Sequence, residues 1–168
     1  QWEPSKKEQV ASDIYKKRFG EENHSNQDIA KVPTSEIQDF DLLVGGFPCQ
    51  EFSHAGKRRG FNSEKGLLYR SMAEVIRRTK PMLFVAENGK GLLTIDNGAA
   101  IDVIKNDFAG LGYHVTHKLL LAANYGVPQM RERVIIIGTR KNILPRFEDE
   151  DYPKPTHKGK HVSVKEAF

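Results

Sequence analysis

The chain's one cysteine, Cys49, lies in VGGFPCQEFS, between a proline and a glutamine and shortly after two glycines. An isolated cysteine is most often a small buried hydrophobe, and such a residue wants a packed apolar site. Here Pro48 fixes the backbone ahead of the thiol, while Gly45 and Gly46 let the chain turn and approach another group closely. That setting suits a nucleophile better than core packing. Two further groups suit the same chemistry. Glu87 is an acid that ends the apolar run MLFVAE. In QMRER, Arg131 and Arg133 stand two apart, so at the mouth of a strand both face one side and Glu132 the other. Paired guanidiniums favour a nearby thiolate and offer forked donors to a carbonyl or phosphate. Read alone, QMRER is equally an ordinary salt-bridged strand edge.

These groups share a site only if the elements between them bring them together. Val10, Ile14 and Phe19 have helical spacing, with Pro4 ahead of them and Gly20 as a stop. DLLVGG, from Asp41, reads as a short strand ended by glycines. LLYRSMAEVIRRTK places Leu68, Met72, Val75 and Ile76 on one helical stripe, and MLFVAEN is a second short strand. A further helix runs through Ile101, Ile104, Phe108 and Leu111. Two strand candidates follow, YHVTHKLLL and RVIIIGTR, around the turn-rich NYGVPQ. This alternation predicts an α/β domain with a mostly parallel sheet. A right-handed crossover makes the first two strands parallel, and open parallel sheets bind ligands beyond the carboxyl ends of their strands. Cys49 and Glu87, each just past such an end, are therefore expected at one edge.

The bulk numbers set bounds. The 168 residues, 38% hydrophobic and 29% charged, suit one domain with a real core. The longest apolar runs, such as VIII at 134–137, are too short to cross a bilayer, and no leader with a cleavage site is visible. One cysteine can form neither an internal disulfide nor a zinc cage; a reducing, cytoplasmic setting is expected. The six histidines are scattered, with His114 and His117 on opposite sides of a strand, so no metal is expected. The net charge of +4 suits a polyanionic partner. Lys57, Arg58 and Arg59 cluster in GKRRG, which alone reads as a solvated loop. From Asn142 onward, Pro145, Pro153 and Pro155 stand among charges. We divide the chain into a domain at 1–141 and an exit segment at 142–168.

With the thiol turn, the acid after the next strand and the arginine pair in that order, the chain resembles the cytosine-5 DNA methyltransferases. GGFPCQEFS is similar to the family's catalytic loop, AEN to its ENV, QMRER to its Q-x-R-x-R, and NQDIAKV to its adenine-side segment. QWEP resembles the end of the family's second strand. The resemblance runs from Trp2 to about Gly138. It implies a Rossmann-like methyltransferase fold, incomplete at both ends, that transfers a methyl group from S-adenosyl-L-methionine to carbon 5 of a cytosine swung out of double-stranded DNA. It assigns nucleophilic addition at carbon 6 to Cys49, and ring nitrogen 3 to Glu87, whose pKa burial is expected to raise. Arg133 falls to the base carbonyl, Arg131 to the region around thiol and phosphate, and Asn88 to holding the turn. Trp2, Asp28 and Ile29 go to the adenine, and Pro48 and Leu68 to the methionine end of the cofactor; Asp28 is otherwise a turn residue and Leu68 core. Gln50 and Ser53 are expected to fill the vacated stack or touch the backbone, and Lys57, Arg58 and Arg59 to meet phosphates, from a loop that moves as a lid.

Two departures stand out. Gly89 replaces the family's β-branched residue behind the acid, which is expected to loosen its packing. The F-x-G-x-G turn, the recognition domain and the final helix of the family are not in the sequence. The chain alone is therefore expected to bind the cofactor poorly and to be inactive, with missing segments or a second polypeptide completing it. Two other readings remain: a non-catalytic module that binds nucleic acid or a partner, and a tRNA cytosine methyltransferase, whose usual PPCQ differs from FPCQ here. Compact bacterial members of the family often pair with a restriction nuclease.

Overall fold

In a computed structural model of the chain, residues 9–22, 24–47 and 67–168 are described, the side chains of Leu67 and Leu68 excepted. Trp2, Pro48, Cys49, Gln50, Ser53, Lys57, Arg58 and Arg59 lie outside the described residues. The elements run α1 (Val10–Phe19), β1 (Leu42–Gly46), α2 (Leu67–Thr79), β2 (Leu83–Gly89), α3 (Ala99–Gly110), β3 (Tyr113–Leu121), β4 (Glu132–Arg140) and α4 (Val164–Ala167), with short 3-10 turns between them.

The four strands form one sheet in the order β1-β2-β4-β3. The expectation of a mostly parallel sheet needs correction: β1 and β2 pair in parallel, whereas β4 is antiparallel to both of its neighbours. The α3 crossover does bring β3 into the direction of β2. The connection 122–131 between β3 and β4 is too short for a second crossover, which takes a dozen or more residues. The chain instead doubles back, and β4 wedges in reverse between β2 and β3.

One face of the sheet is covered by α2 and α3. Phe84 and Ala86 of β2 and Val134 and Ile136 of β4 meet Met72 and Ile76 of α2 and Ile101, Ile104 and Phe108 of α3, all buried. The period-3.6 stripes seen in the sequence are these inward faces. Phe84 packs on Phe108 (centroids 4.6 Å apart) and edge-on to Tyr113 (5.2 Å). Gly138, opposite Phe84 in the register, has to lack a side chain, since a methyl group there would fall inside the Phe84 ring. Tyr69 of α2 donates to Asp107 of α3 at 2.8 Å and ties the two helices together.

The opposite face carries Leu42 and Val44, 50% and 67% exposed. The segment after β4 crosses part of that face: Tyr152 is buried, its hydroxyl 3.0 Å from that of Thr116. Helix α1 ends at Gly20, whose φ is +83° and whose N–H bonds Lys16 O. Its apolar residues Val10, Ile14 and Phe19 are exposed. Among the described residues, no helix is long and apolar enough to cross a membrane.

Candidate active site

The carboxyl ends of β1, β2 and β3 and the start of β4 line one edge of the sheet. Alternation along β2 turns Phe84, Ala86 and Asn88 toward the helices, and Leu83, Val85 and Glu87 to the other face. On β4, Arg133 stands opposite Gly89 and Ile135 opposite Glu87. Arg133 is thus the diagonal neighbour of Glu87 on the same face, within reach of a long side chain. Its Nε lies 2.5 Å from Glu87 Oε1, and its Nη1 donates to Glu132 O at 2.8 Å. The sequence reading put Glu132 on the other side of the strand, where it meets Lys90 at 2.7 Å.

The Glu87 side chain is 44% exposed and faces a guanidinium, so its surroundings are not the buried pocket expected of it. An ion pair this open contributes at most about 1 kcal/mol to stability; its effect is to orient the carboxyl group. The guanidinium that the resemblance assigns to a base carbonyl rests here on the acid. Arg131 precedes the first residue of β4, is exposed, and has no side-chain partner among the described residues.

Gly46 stands opposite Glu87 on β1. A Cβ at Gly46 would come 3.3 Å from both the Glu87 carbonyl oxygen and Oε2, closer than ordinary contact. The glycine therefore clears room for the carboxyl group. Neither Gly45 nor Gly46 is a turn residue, as both belong to β1.

Asn88 links this strand end to the chain entering VGGFPCQEFS. Only 1% exposed, it donates from Nδ2 to Phe47 O at 2.8 Å and accepts from Gly89 N–H at Oδ1. Phe47 is itself buried and packs edge-on to Tyr69. Sequence reasoning missed Phe47 because its contribution is a backbone carbonyl, which leaves no residue-type signal. A side chain built on Gly89 would meet nothing within 4 Å, so among the described residues its absence leaves no packing defect behind the acid.

Asp28 and Ile29 form a turn closed by Lys31 N–H to Asp28 O at 2.8 Å. Asp28 Oδ1 accepts from Ala30 N–H at 3.1 Å, and Ile29 is 41% exposed. No hydrogen bond or ion pair joins this turn to Glu87 or Arg133. Leu68 lies in the first turn of α2. The structure therefore brings together Glu87, Asn88, Arg133 and the chain at Phe47; among the described residues no hydrogen bond or ion pair ties the Arg131, Asp28 or Ile29 side chains to them. No group of three or more His, Cys, Asp or Glu that could hold a metal occurs among the described residues.

The family model for C-5 cytosine-specific DNA methylase matches residues 4–167. Type II methyltransferase M1.ScrFI of Lactococcus lactis subsp. cremoris is 40% identical over 148 residues, covering 88% of this chain and 38% of its own length. M.HhaI of Haemophilus parahaemolyticus is 37% identical over 148 residues, covering 88% of this chain and 44% of its own. The chain thus spans less than half of these relatives. Among solved structures, a DNA modification methyltransferase encoded within a prophage (E. coli) superposes with a TM-score of 0.73 at 24% identity, covering 95% of this chain and 45% of that one. S. pombe Dnmt2 methyltransferase gives 0.67 at 18% identity over 84% and 43%. At such identities the superpositions show the fold alone, a Rossmann-like methyltransferase architecture.

Proposed function

Because the chain belongs to the C-5 cytosine-specific DNA methylase family, we propose that it supplies the catalytic edge of an enzyme that methylates carbon 5 of cytosine in double-stranded DNA. The observation that carries this reading is the buried Asn88–Phe47 bond. It fixes the chain two residues before Cys49 against the strand end that presents Glu87. Two residues span at most about 7 Å, so the thiol's reach from that anchor is short.

Carbon 5 of cytosine is a poor nucleophile on its own. The Cys49 thiolate forms a bond to carbon 6, and the electron pair of the 5,6 double bond moves through the ring toward nitrogen 3; Glu87, which has to leave its ion pair with Arg133 and take up a proton as the base enters, gives that proton to nitrogen 3. Without a base bound, Arg133 holds that carboxyl group; once the base enters, its guanidinium turns to the base carbonyl, the role the resemblance implies for it, with Arg131 nearer the thiol and phosphate. S-adenosyl-L-methionine, the methyl donor of the family, would supply the electrophilic methyl group to carbon 5, its sulfonium–methyl bond breaking to leave the thioether S-adenosyl-L-homocysteine. Loss of the carbon 5 proton to water then drives out the Cys49 thiolate and restores the 5,6 double bond, and nitrogen 3 returns its proton. The target base has to leave the stack for this; Gln50 and Ser53 occupy the gap or the adjoining backbone, and Lys57, Arg58 and Arg59 meet phosphates.

Asp28 and Ile29 suit an adenine edge chemically. Oδ1 of Asp28 is taken by Ala30, which leaves Oδ2 as an acceptor for an amino group beside an exposed apolar side chain. Among the described residues they form an open turn. Trp2, Pro48 and Leu68 would add to the contacts. The chain by itself is accordingly expected to bind the cofactor weakly and to be inactive, with a second polypeptide or further segments completing the site. The reducing interior of a bacterial cell suits an enzyme with a free nucleophilic thiol.

The test is a covalent trap. With the complementary segments of a relative supplied, a duplex carrying 5-fluorocytosine and the methyl donor should yield a denaturation-resistant protein–DNA adduct, absent in Cys49→Ser. Methyl transfer that survived Cys49→Ser would refute the reading. One alternative is a non-catalytic module that binds DNA without forming an adduct, for which the turn at Asp28 and Ile29, open among the described residues, would suffice; binding without a trapped species would select it.

A further inference from the structure

The segment after the buried Tyr152 contains Lys154, Lys158, Lys160 and Lys165, with no acidic residue before Glu166. These four charges equal the formal excess of +4 on the whole chain, and none is ion-paired among the described residues. A run of lysines is ordinarily a solvated surface, but this one is held in place. Asn124 O accepts from Thr156 N–H (3.0 Å) and His157 N–H (2.8 Å), and Asn124 Oδ1 lies 2.9 Å from His161 Nε2. Tyr125 OH donates to Pro153 O at 2.9 Å. The His157 ring sits against Gly126, where a Cβ would come within 3.0 Å of it. Gly159, at φ +77°, and a Lys160 N–H to His157 O bond of 3.1 Å close the turn. Lys158, Lys160 and both histidines line a concavity of about 370 Å³. Glu166, the one acid in its wall, is engaged by Ser163 N–H at 2.7 Å.

The position matters as much as the charge. Asn124 belongs to the 3-10 turn that directly follows β3, and Ala122 in the same turn bonds Arg131 O at 2.9 Å. The basic turn therefore hangs on the sheet edge that holds Glu87 and Arg133. Two strand spacings separate the ends of β2 and β3, roughly 10 Å, about the width of a major groove. We propose that residues 153–161 form a phosphate-contacting element for duplex DNA lying across that edge, a second basic contact apart from Lys57, Arg58 and Arg59. This rests on the reading of the chain as part of a DNA methyltransferase. As phosphate contacts, the lysines carry affinity and salt dependence without sequence choice.

The experiment is fluorescence anisotropy of the full chain with a labelled duplex across a salt series, beside the triple variant Lys154→Gln/Lys158→Gln/Lys160→Gln. Each lysine that meets a phosphate should remove about 0.9 from the slope of log Kobs against log salt, so the variant should be shallower by about 2 to 3. Amine acetylation read by mass spectrometry should show Lys154, Lys158 and Lys160 shielded by DNA in the unaltered chain, a readout independent of any effect on folding. An unchanged slope, unshielded lysines, or no binding by the unaltered chain would overturn the proposal. None of these outcomes bears on the Cys49 adduct, which tests the methyl-transfer reading separately.

Discussion

Asn88 is where the fold and the site meet, and its removal should be felt in both. Asn88→Ala deletes the donor to Phe47 O and the acceptor for Gly89 N–H. A lost buried hydrogen bond of the first kind costs about 1–3 kcal/mol. The second costs less, because Gly89 is partly exposed and water can replace the bond. With the packing lost at a residue only 1% exposed, the sum is about 2–4 kcal/mol. For a chain of this size that lowers Tm by roughly 6–12 °C. Asn88→Leu separates the causes, since it keeps the volume and removes the polarity; it should cost nearly as much. Urea unfolding followed by far-UV circular dichroism measures both. If both variants unfolded within about 0.5 kcal/mol of the unaltered chain, the bond would not be holding the Phe47 chain to β2. The positional argument for Cys49 would then fail with it.

Gly138→Ala should cost about 1–3 kcal/mol, because the new methyl group displaces the Phe84 ring from its packing on Phe108 and Tyr113. Phe84→Leu in the same background should recover part of that loss in a double-mutant cycle by urea unfolding. His117 titrates below its ordinary 6.5, first because burial disfavours the charged ring and then because Lys105 repels it, against a smaller pull from Asp102. Its folded pKa is depressed, so its contribution is complete above about pH 6.5 and is lost as pH falls through the folded value. Thermal melts of His117→Gln against the unaltered chain should therefore diverge least near pH 5 and most above pH 7; parallel curves over that range would show that the ring is not desolvated.

The parts of the fold legible in the sequence are those in which one element's pattern determines its own surroundings. The stripes of α2 and α3 predict their buried faces because a helix with a single apolar side has only one way to turn it. Glu87 and Arg133 were each legible as site residues at a strand end, but their contact was not: the reading set Arg133 on a base carbonyl, and only the antiparallel register makes it the diagonal neighbour of Glu87. Strand direction is a different kind of fact. Nothing in RVIIIGTR says whether it runs with or against MLFVAEN; only the length of 122–131 bears on it, and that was the neglected signal. Gly46 was misread in the same way. It looks like a flexible point in a one-dimensional reading, yet it lies in a strand, at negative φ, where the neighbouring strand sends the Glu87 carboxyl group across it; Gly138, read within the strand RVIIIGTR, makes the same kind of room for the Phe84 ring. A residue defined by what its neighbour needs cannot be recognised until the neighbour is known. The Phe47 carbonyl and Asn124 belong to this class too, so the contacts that position the candidate chemistry were the hardest to foresee. Side-chain identity announces the reactive groups, while the backbone that holds them in place is common to every residue and therefore silent.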